Sequence, residues 1–205
     1  MANVIRLAII DDHPATASGL AALLAHEPDL EVVGVATSPP EGERLLATAG
    51  LDMALIDIVL DGQPAGLDLL ARHAGRAACI LFSSYDQAGF YARALELGAR
   101  GYLPKSARVA EIVTTIHQVA SGGTAFGAAA LARARSAPAR PSERELEVIR
   151  LVADGCSNDE IGARLGFTEK SVESQLRRLF ARYGLATRTE LSLLALRQGW
   201  ISLAG

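Results

Sequence analysis

Residues 4–12, VIRLAIIDD, run apolar for the length of a strand and end in two carboxylates. Comparable runs recur as LEVVGVA at 30–36, MALIDI at 53–58, ACILFS at 78–83 and a short RGYL at 100–103. Helix-like stretches at 14–26, 40–49, 65–74, 86–97 and 107–120 lie between and after them. Strands alternating with helices of about 10–15 residues build βαβ units and hence a parallel sheet covered on both faces. The fold class expected is therefore α/β, with residues 1–122 forming a doubly wound (βα)5 domain around a five-stranded parallel sheet.

From Ser121 to Pro141 the composition turns to Gly, Ala, Ser, Pro and Arg, which marks 123–140 as a linker with a short helix over 128–135. Beyond it the strand pattern stops. Ser142 with Glu145, Ser157 with Glu160 and Thr187 with Glu190 each have capping-box spacing, in which the hydroxyl accepts a free helical N–H and the carboxylate bonds back. A further helix opens at Thr168. Helices at 142–153, 157–165, 168–183 and 187–199, separated by Gly155, Gly166 and Gly184, predict a second, smaller all-α four-helix domain over 141–205.

Charge divides the same way. Residues 1–122 hold 8 Lys and Arg against 14 Asp and Glu, whereas 123–205 hold 12 against 9. An acidic half suits cation binding and a basic half suits nucleic acid. Cys79 and Cys156 lie far apart with no metal-type spacing, so they read as buried structural thiols. With no signal-peptide pattern and no run of about 18 apolar residues, the chain is expected to be cytoplasmic and without a membrane partner.

In a doubly wound sheet, ligands bind outside the carboxyl ends of the strands. Asp11 and Asp12 follow the first strand, Asp57 the third, Ser83 ends the fourth and Lys105 follows the fifth. A lone Asp at a strand end is usually a turn or cap residue; five such groups on one sheet edge make a site. Three crowded carboxylates repel one another and call for a hard divalent cation such as Mg2+. Asp57 could then attack a phosphoryl group while the metal, Lys105 and the Ser83 hydroxyl neutralise its oxygens. His13, beside Pro14 and without a His or Cys partner, reads as a loop residue. His26, His73 and His117 read as surface or helix residues.

As a set, DDHP at 11–14, the Asp of ALIDI, the Ser of LFSS and GYLPK at 101–105 resemble the receiver domain of two-component response regulators. The resemblance covers about 120 residues and implies a flavodoxin-like fold. It implies that Asp57 accepts a phosphoryl group from a histidine kinase and that Asp11, Asp12, Asp57 and the Val59 backbone carbonyl hold Mg2+. Ser83 and Lys105 would contact the phosphoryl oxygens, with Ser83 and Tyr102 as the switch pair. One departure stands out. The family usually has Met-Pro shortly after the acceptor, whereas this chain has Leu60-Asp61-Gly62-Gln63-Pro64 and is one residue longer before Gly66.

Around the helix expected over 168–183, Val172, Leu176, Leu179 and Tyr183 share one stripe, which must be buried. The opposite face carries Lys170, Ser174, Arg177, Arg178 and Ala181, with Glu173 and Arg182 on its flanks. A cationic face of short side chains suits the DNA major groove. Residues 141–201 resemble the LuxR-type helix-turn-helix, matching at Arg144-Glu145, Gly155, Ser157-Asn158, Glu160-Ile161, Leu165, Val172, Leu176, Gly184 and Arg188-Thr189-Glu190. With the receiver, the whole resembles the NarL/FixJ architecture. It implies a recognition helix over 168–183, a dimerisation helix over 187–199, and DNA contacts from Thr168, Lys170, Ser171, Ser174, Arg177, Arg178, Arg182 and Arg188. The implied partners are a histidine kinase, promoter DNA, a second copy of the chain on phosphorylation, and RNA polymerase. Members often carry Lys and His after the Val, where this chain has Glu173 and Gln175. A carboxylate facing phosphate would weaken binding, and one accepting from a cytosine amino group would add specificity. Both readings stay open at this level.

An aspartate-dependent phosphatase has a different pattern, with two Asp one residue apart on the first strand, and no GKS/T loop or strand-linked GxGxxG is present. The reading is therefore of a regulator and not an enzyme. A regulator acting through protein contacts alone would require Glu173 to have cancelled DNA binding.

Overall fold

The computed structural model describes residues 4–201, and the chain divides into two compact units, one ending at Arg135 and the other beginning at Ser136. The first unit runs β1 (Ile5–Ile10), α1 (Pro14–Leu24), β2 (Leu30–Ala36), α2 (Pro39–Leu46), β3 (Met53–Ile56), α3 (Ala65–Arg72), β4 (Ala78–Ser83), α4 (Ala88–Glu96), β5 (Gly101–Pro104), α5 (Val109–Ala120) and most of α6 (Ala128–Ser136). The sheet order is β2-β1-β3-β4-β5 with every pair parallel, as the α/β reading requires.

Alternation along the strands sorts side chains onto two faces. Ala8, Ile10, Ala54, Ile56 and Leu81 point to the side where Leu46 of α2, Leu69 of α3 and Phe90 and Ala94 of α4 pack. Leu7, Ile9, Met53, Leu55 and Ile80 point to the other, against Leu20 and Leu24 of α1 and Ile112 and Ile116 of α5. Both faces being covered explains why these strands read as unbroken apolar runs rather than alternating ones. The strand order reverses between β1 and β3, which opens a crevice above their carboxyl ends.

The second unit is all-helical: α7 (Glu143–Ala153), α8 (Asn158–Leu165), α9 (Glu169–Tyr183) and α10 (Arg188–Arg197). All three capping boxes form, Ser142 with Glu145, Ser157 with Glu160 and Thr187 with Glu190. Thr168 caps α9 by accepting from the Ser171 N–H at 3.2 Å. Val172, Leu176 and Leu179 are buried as the helical periodicity predicts. Tyr183 is only partly buried, because its ring lies 5.2 Å from that of Trp200 while its hydroxyl donates outward to the Ala139 carbonyl.

Both cysteines are buried free thiols, and burial pushes the Cys79 thiol up to about 12. His73 departs from the surface reading: it caps the C-terminus of α3, is buried, and places Nε2 2.6 Å from Glu43 Oε1. Among the described residues, no helix is long and apolar enough to cross a membrane.

Candidate functional site

The ladders that end β1 and β3 aim the acidic residues into the crevice. Asp11 N–H donates to Ala36 O at 3.0 Å, and Asp57 N–H donates to Ile10 O at 2.8 Å, so each carboxylate leaves its strand from a fixed backbone. Asp11 and Asp57 are buried; Asp12 is partly exposed. Lys105, whose N–H donates to Ser83 O at 3.0 Å, sends its ammonium between them, 2.8 Å from Asp11 Oδ2 and 2.6 Å from Asp57 Oδ2. One ligand atom from each of Asp11, Asp12, His13 and Asp57 lies within 4.8 Å of every other. Of the five residues selected from the sequence, Asp11, Asp57 and Lys105 thus meet directly, with Asp12 beside them.

Electrostatics at this centre are set by burial against pairing. Burial holds the Asp57 carboxyl above its ordinary value, and the nearby Asp11 charge pushes the same way; the Lys105 contact opposes them without prevailing. Burial pulls the Lys105 ammonium down, but the two carboxylates together outweigh it and hold it above its ordinary value. Two buried carboxylates therefore share one cation. Asp11 Oδ2 accepts no well-directed hydrogen bond in its buried position, which leaves the Lys105 ammonium at 2.8 Å to balance it. A hard oxygen donor set with an under-satisfied oxygen fits a divalent cation.

Val59 N–H donates to Asp57 Oδ1 at 3.3 Å and steadies the carboxylate from its own loop. That loop carries the departure noted in the sequence. Leu60 and Gln63 exchange backbone hydrogen bonds of 2.8 and 3.0 Å around Asp61 and Gly62, whose φ values are 53° and 72°. Two consecutive positive φ angles define a type I′ turn, and Asp-Gly is the dipeptide that tolerates them. The turn brings the Asp61 N–H to Asp12 Oδ2 at 2.9 Å, so this loop clamps the second member of the acidic pair.

Three features of the site were not read from the sequence. A Cβ on Gly66 would sit 1.8 Å from the Asp57 carbonyl oxygen, so only glycine lets α3 begin directly beneath the site. His13 is highly exposed, yet its Nδ1 lies 2.8 Å from Asp12 Oδ1. Its position next to the acidic pair at a strand end was the available signal. Tyr102 is buried with its hydroxyl donating to Tyr85 O at 2.6 Å, while Ser83 Oγ accepts from Tyr85 N–H at 3.2 Å. Both members of the expected switch pair hold the same residue of the β4–α4 loop.

On α9, Lys170, Ser174, Arg177, Arg178 and Arg182 are exposed along one side, and Ser171 is partly buried beside the Thr168 cap. Glu173 Oε1 accepts from Arg177 at 2.9 Å, Arg178 Nε donates to Ser174 O at 3.3 Å, and Arg182 grips both oxygens of Glu145. Arg188 is placed differently. Its guanidinium turns inward to Asn158 Oδ1 at 3.1 Å and to the Cys156 carbonyl, tying the start of α10 to the start of α8.

A parallel sheet with an acidic crevice, followed in the same chain by a capped helical unit with a cationic helix face, defines a receiver joined to a helix-turn-helix. Residues 7–117 match the model of the response regulator receiver domain, and 142–195 match that of bacterial regulatory proteins of the LuxR family. The chain belongs to the two-component response regulators, in the branch that carries a LuxR-type DNA-binding domain, and regulates transcription. It is 32% identical over 207 residues to the transcriptional regulatory protein LiaR of Bacillus subtilis strain 168, covering 95% of this chain and 98% of LiaR. It is 35% identical over 192 residues to the transcriptional regulatory protein UhpA of Escherichia coli K12, covering 92% and 96%. Among solved structures, the response regulator ChrA of a heme-sensing two-component system superposes with a TM-score of 0.56 at 27% identity, over 97% of this chain and 100% of ChrA.

Proposed function

We propose that this protein is a phosphorylation-controlled transcription regulator and not an enzyme: a histidine kinase transfers a phosphoryl group to Asp57, and the phosphorylated chain dimerises on promoter DNA. The observation that carries this reading is the Lys105 ammonium bridging Asp11 and Asp57 above the β1/β3 crevice. In the transfer, an Asp57 carboxylate oxygen attacks phosphorus. The oxygen–phosphorus bond forms as the bond from phosphorus to the kinase imidazole nitrogen breaks, and the imidazole leaves with the electron pair. Lys105 and the Ser83 hydroxyl then turn to the phosphoryl oxygens, and the charge that Lys105 neutralises passes from the carboxylates to the phosphoryl group. Asp11, Asp12, Asp57 and the Val59 carbonyl would hold a Mg2+ ion, which would add positive charge beside those oxygens.

In the second unit, α9 enters the major groove. Ser174 and Arg177 face base edges, and Lys170, Arg178 and Arg182 contact phosphate, with Thr168 and Ser171 at the helix start. Glu173 pairs with Arg177 across one helical turn, and at 59% and 77% exposure the pair is weak enough for Arg177 to exchange it for a base edge. The inward turn of Arg188 supports a positioning role for it rather than direct contact. One short helix reads few bases, so useful affinity requires two copies on half-sites about one DNA turn apart. RNA polymerase is the partner expected at the promoter, and the cytoplasm is the compartment where kinase and DNA meet it.

The test joins three measurements. Asp57→Asn should abolish labelling by acetyl phosphate while leaving the fold intact. Sedimentation should find the unmodified chain monomeric and the phosphorylated chain dimeric. DNA titration at two salt concentrations should then give tighter, salt-sensitive binding for the dimer, weakened by Arg177→Ala with labelling unchanged. Undiminished labelling of Asp57→Asn would overturn the acceptor assignment, and affinity indifferent to phosphorylation would overturn the coupling.

A further inference from the structure

Strand β5 lies at the edge of the sheet, where its outer N–H and C=O groups have no strand to meet. The chain covers that edge with its own continuation. Ala125 N–H donates to Arg100 O at 2.7 Å, and Tyr102 N–H donates to Ala125 O at 3.1 Å, a short parallel bridge laid beside Gly101. A Cβ on Gly101 would stand 3.2 Å from both the Ala125 carbonyl oxygen and its methyl carbon, so the bare glycine admits this close approach. Phe126 packs against the core cluster that holds Tyr102 and Phe90, and Ala130 of α6 is buried. Further along α6, Arg133 donates to the Asp86 carbonyl at 2.8 Å and to its carboxylate at 2.7 Å.

Asp86 is not an arbitrary anchor. It belongs to the loop in which Tyr85 receives the Tyr102 hydroxyl on its carbonyl and gives its N–H to Ser83 Oγ. Tyr102 therefore holds the strap through its backbone and the loop through its side chain, and Arg133 closes the circuit from α6. The strap is lightly seated. A recess of about 450 Å³ stays open beside it, with Tyr91, Tyr102, Phe126 and Ala130 in its walls, and the tilted Tyr91 and Tyr102 rings lie 4.1 Å apart. Arg133 and Asp86 are 50% and 68% exposed, so their pair is weak enough to break.

We propose that the α4–β5 face is a docking surface occupied in cis by residues 124–133, and that the phosphoryl state of the receiver governs whether this strap stays docked. The proposal rests on Asp57 being the phosphoacceptor. When Ser83 Oγ turns to a phosphoryl oxygen it gives up the Tyr85 N–H; the loop through Asp86 then shifts, and Arg133 loses both of its acceptors there. Tyr102, no longer fixed by Tyr85 O, can move toward the space left, and the Ala125 bridge opens. The chain continues from α6 into the second unit, so the strap is the covalent route by which the receiver's state is transmitted. The occupied face is also withheld from any second copy until the strap leaves.

The experiment is amide hydrogen exchange on the full-length protein, read at Tyr102 and Ala125, with and without beryllium fluoride as a noncovalent phosphoryl mimic. Beryllium fluoride should accelerate exchange at both amides in wild type. Arg133→Ala and Asp86→Asn should each accelerate it about 2- to 5-fold without the mimic, the range expected for an exposed ion pair. The double variant should add little to Arg133→Ala alone, because that substitution already removes both bonds to Asp86. Linkage requires the same variants to bind beryllium fluoride more tightly by a similar factor. Additive effects, or exchange at wild-type rates in both single variants, would overturn the docking. Unchanged protection of Tyr102 and Ala125 in wild type saturated with the mimic would overturn the coupling. If Asp57→Asn bound the mimic as wild type does, the acceptor assignment would fall instead, while the exchange of the unliganded variants would still decide the docking.

Discussion

Replacing Gly66 with Ala adds one methyl group at the most confined backbone position of the acidic site. Its carbon would lie 1.8 Å from the Asp57 carbonyl oxygen, 2.8 Å from the Asp57 carbonyl carbon and 3.0 Å from Ile58 Cα. All three are backbone atoms, so no rotamer change relieves the clash, and α3 must move away from β3 by more than an ångström. That movement breaks the Gly66 N–H to Ile58 O bond of 3.0 Å, worth about 1 kcal/mol. It also disturbs the packing of Leu67, Leu69 and Leu70, all buried, at an overpacking cost of about 1–3 kcal/mol. The expected loss is about 2–4 kcal/mol, or roughly 8–15 °C in the Tm of the first unit. Thermal unfolding followed by circular dichroism, with Trp200 fluorescence reporting the second unit separately, measures it. Labelling by acetyl phosphate should fall as well, because Asp57 moves with its carbonyl. A Tm within 2 °C of wild type (about 0.5 kcal/mol) together with normal labelling would refute the reasoning, since the backbone would then have room the geometry denies it.

Burial holds the Asp57 carboxyl above its ordinary value, so in metal-free protein the folded state keeps this proton to higher pH than the unfolded chain does, and stability from this group is lost as pH rises through the folded value. Asp57→Asn, neutral at every pH, should therefore unfold at a higher temperature than metal-free wild type at pH 7, the gap closing on acidification in a series of thermal melts. Glu145 behaves in the opposite sense: partial burial pushes its carboxyl up, but Arg182 and the Ser142 backbone outweigh this and hold it below the ordinary value. Its contribution is complete above about pH 4.5 and lost as pH falls through the folded value; Glu145→Gln, which can still accept from Ser142, should cost about 0.5–1 kcal/mol at neutral pH and flatten the acid limb of denaturant titrations. Arg188→Ala leaves the Cys156 carbonyl and Asn158 without their donor and should destabilise the second unit by about 1–3 kcal/mol in urea melts, while the salt slope of DNA binding, measured below the melting range, stays that of wild type. A slope reduced by about one unit would instead make Arg188 a phosphate contact.

Much of this molecule was legible before any coordinates. The doubly wound sheet followed from apolar runs alternating with helical stretches, and the capped helices followed from Ser or Thr three residues before Glu, because both signals are local periodicities carried by neighbouring residues. The grouping of Asp11, Asp12, Asp57 and Lys105 was legible for a related reason: parallel topology sends every strand's carboxyl end to one edge, so position along the chain already implied proximity. What the tertiary structure alone decided are contacts between residues far apart in sequence, whose partners no periodicity names. The Asp61 amide reaches Asp12, the Gly66 α-carbon sits against Asp57, Arg188 bonds Cys156 and Asn158 behind it, and Arg133 holds Asp86. Buried His73 finds Glu43 of α2 as the partner of its Nε2. The side chains themselves specify what each group can bond to; which group arrives within reach depends on how the helices pack over the sheet, and that packing distributes its information over the whole core rather than along any one segment.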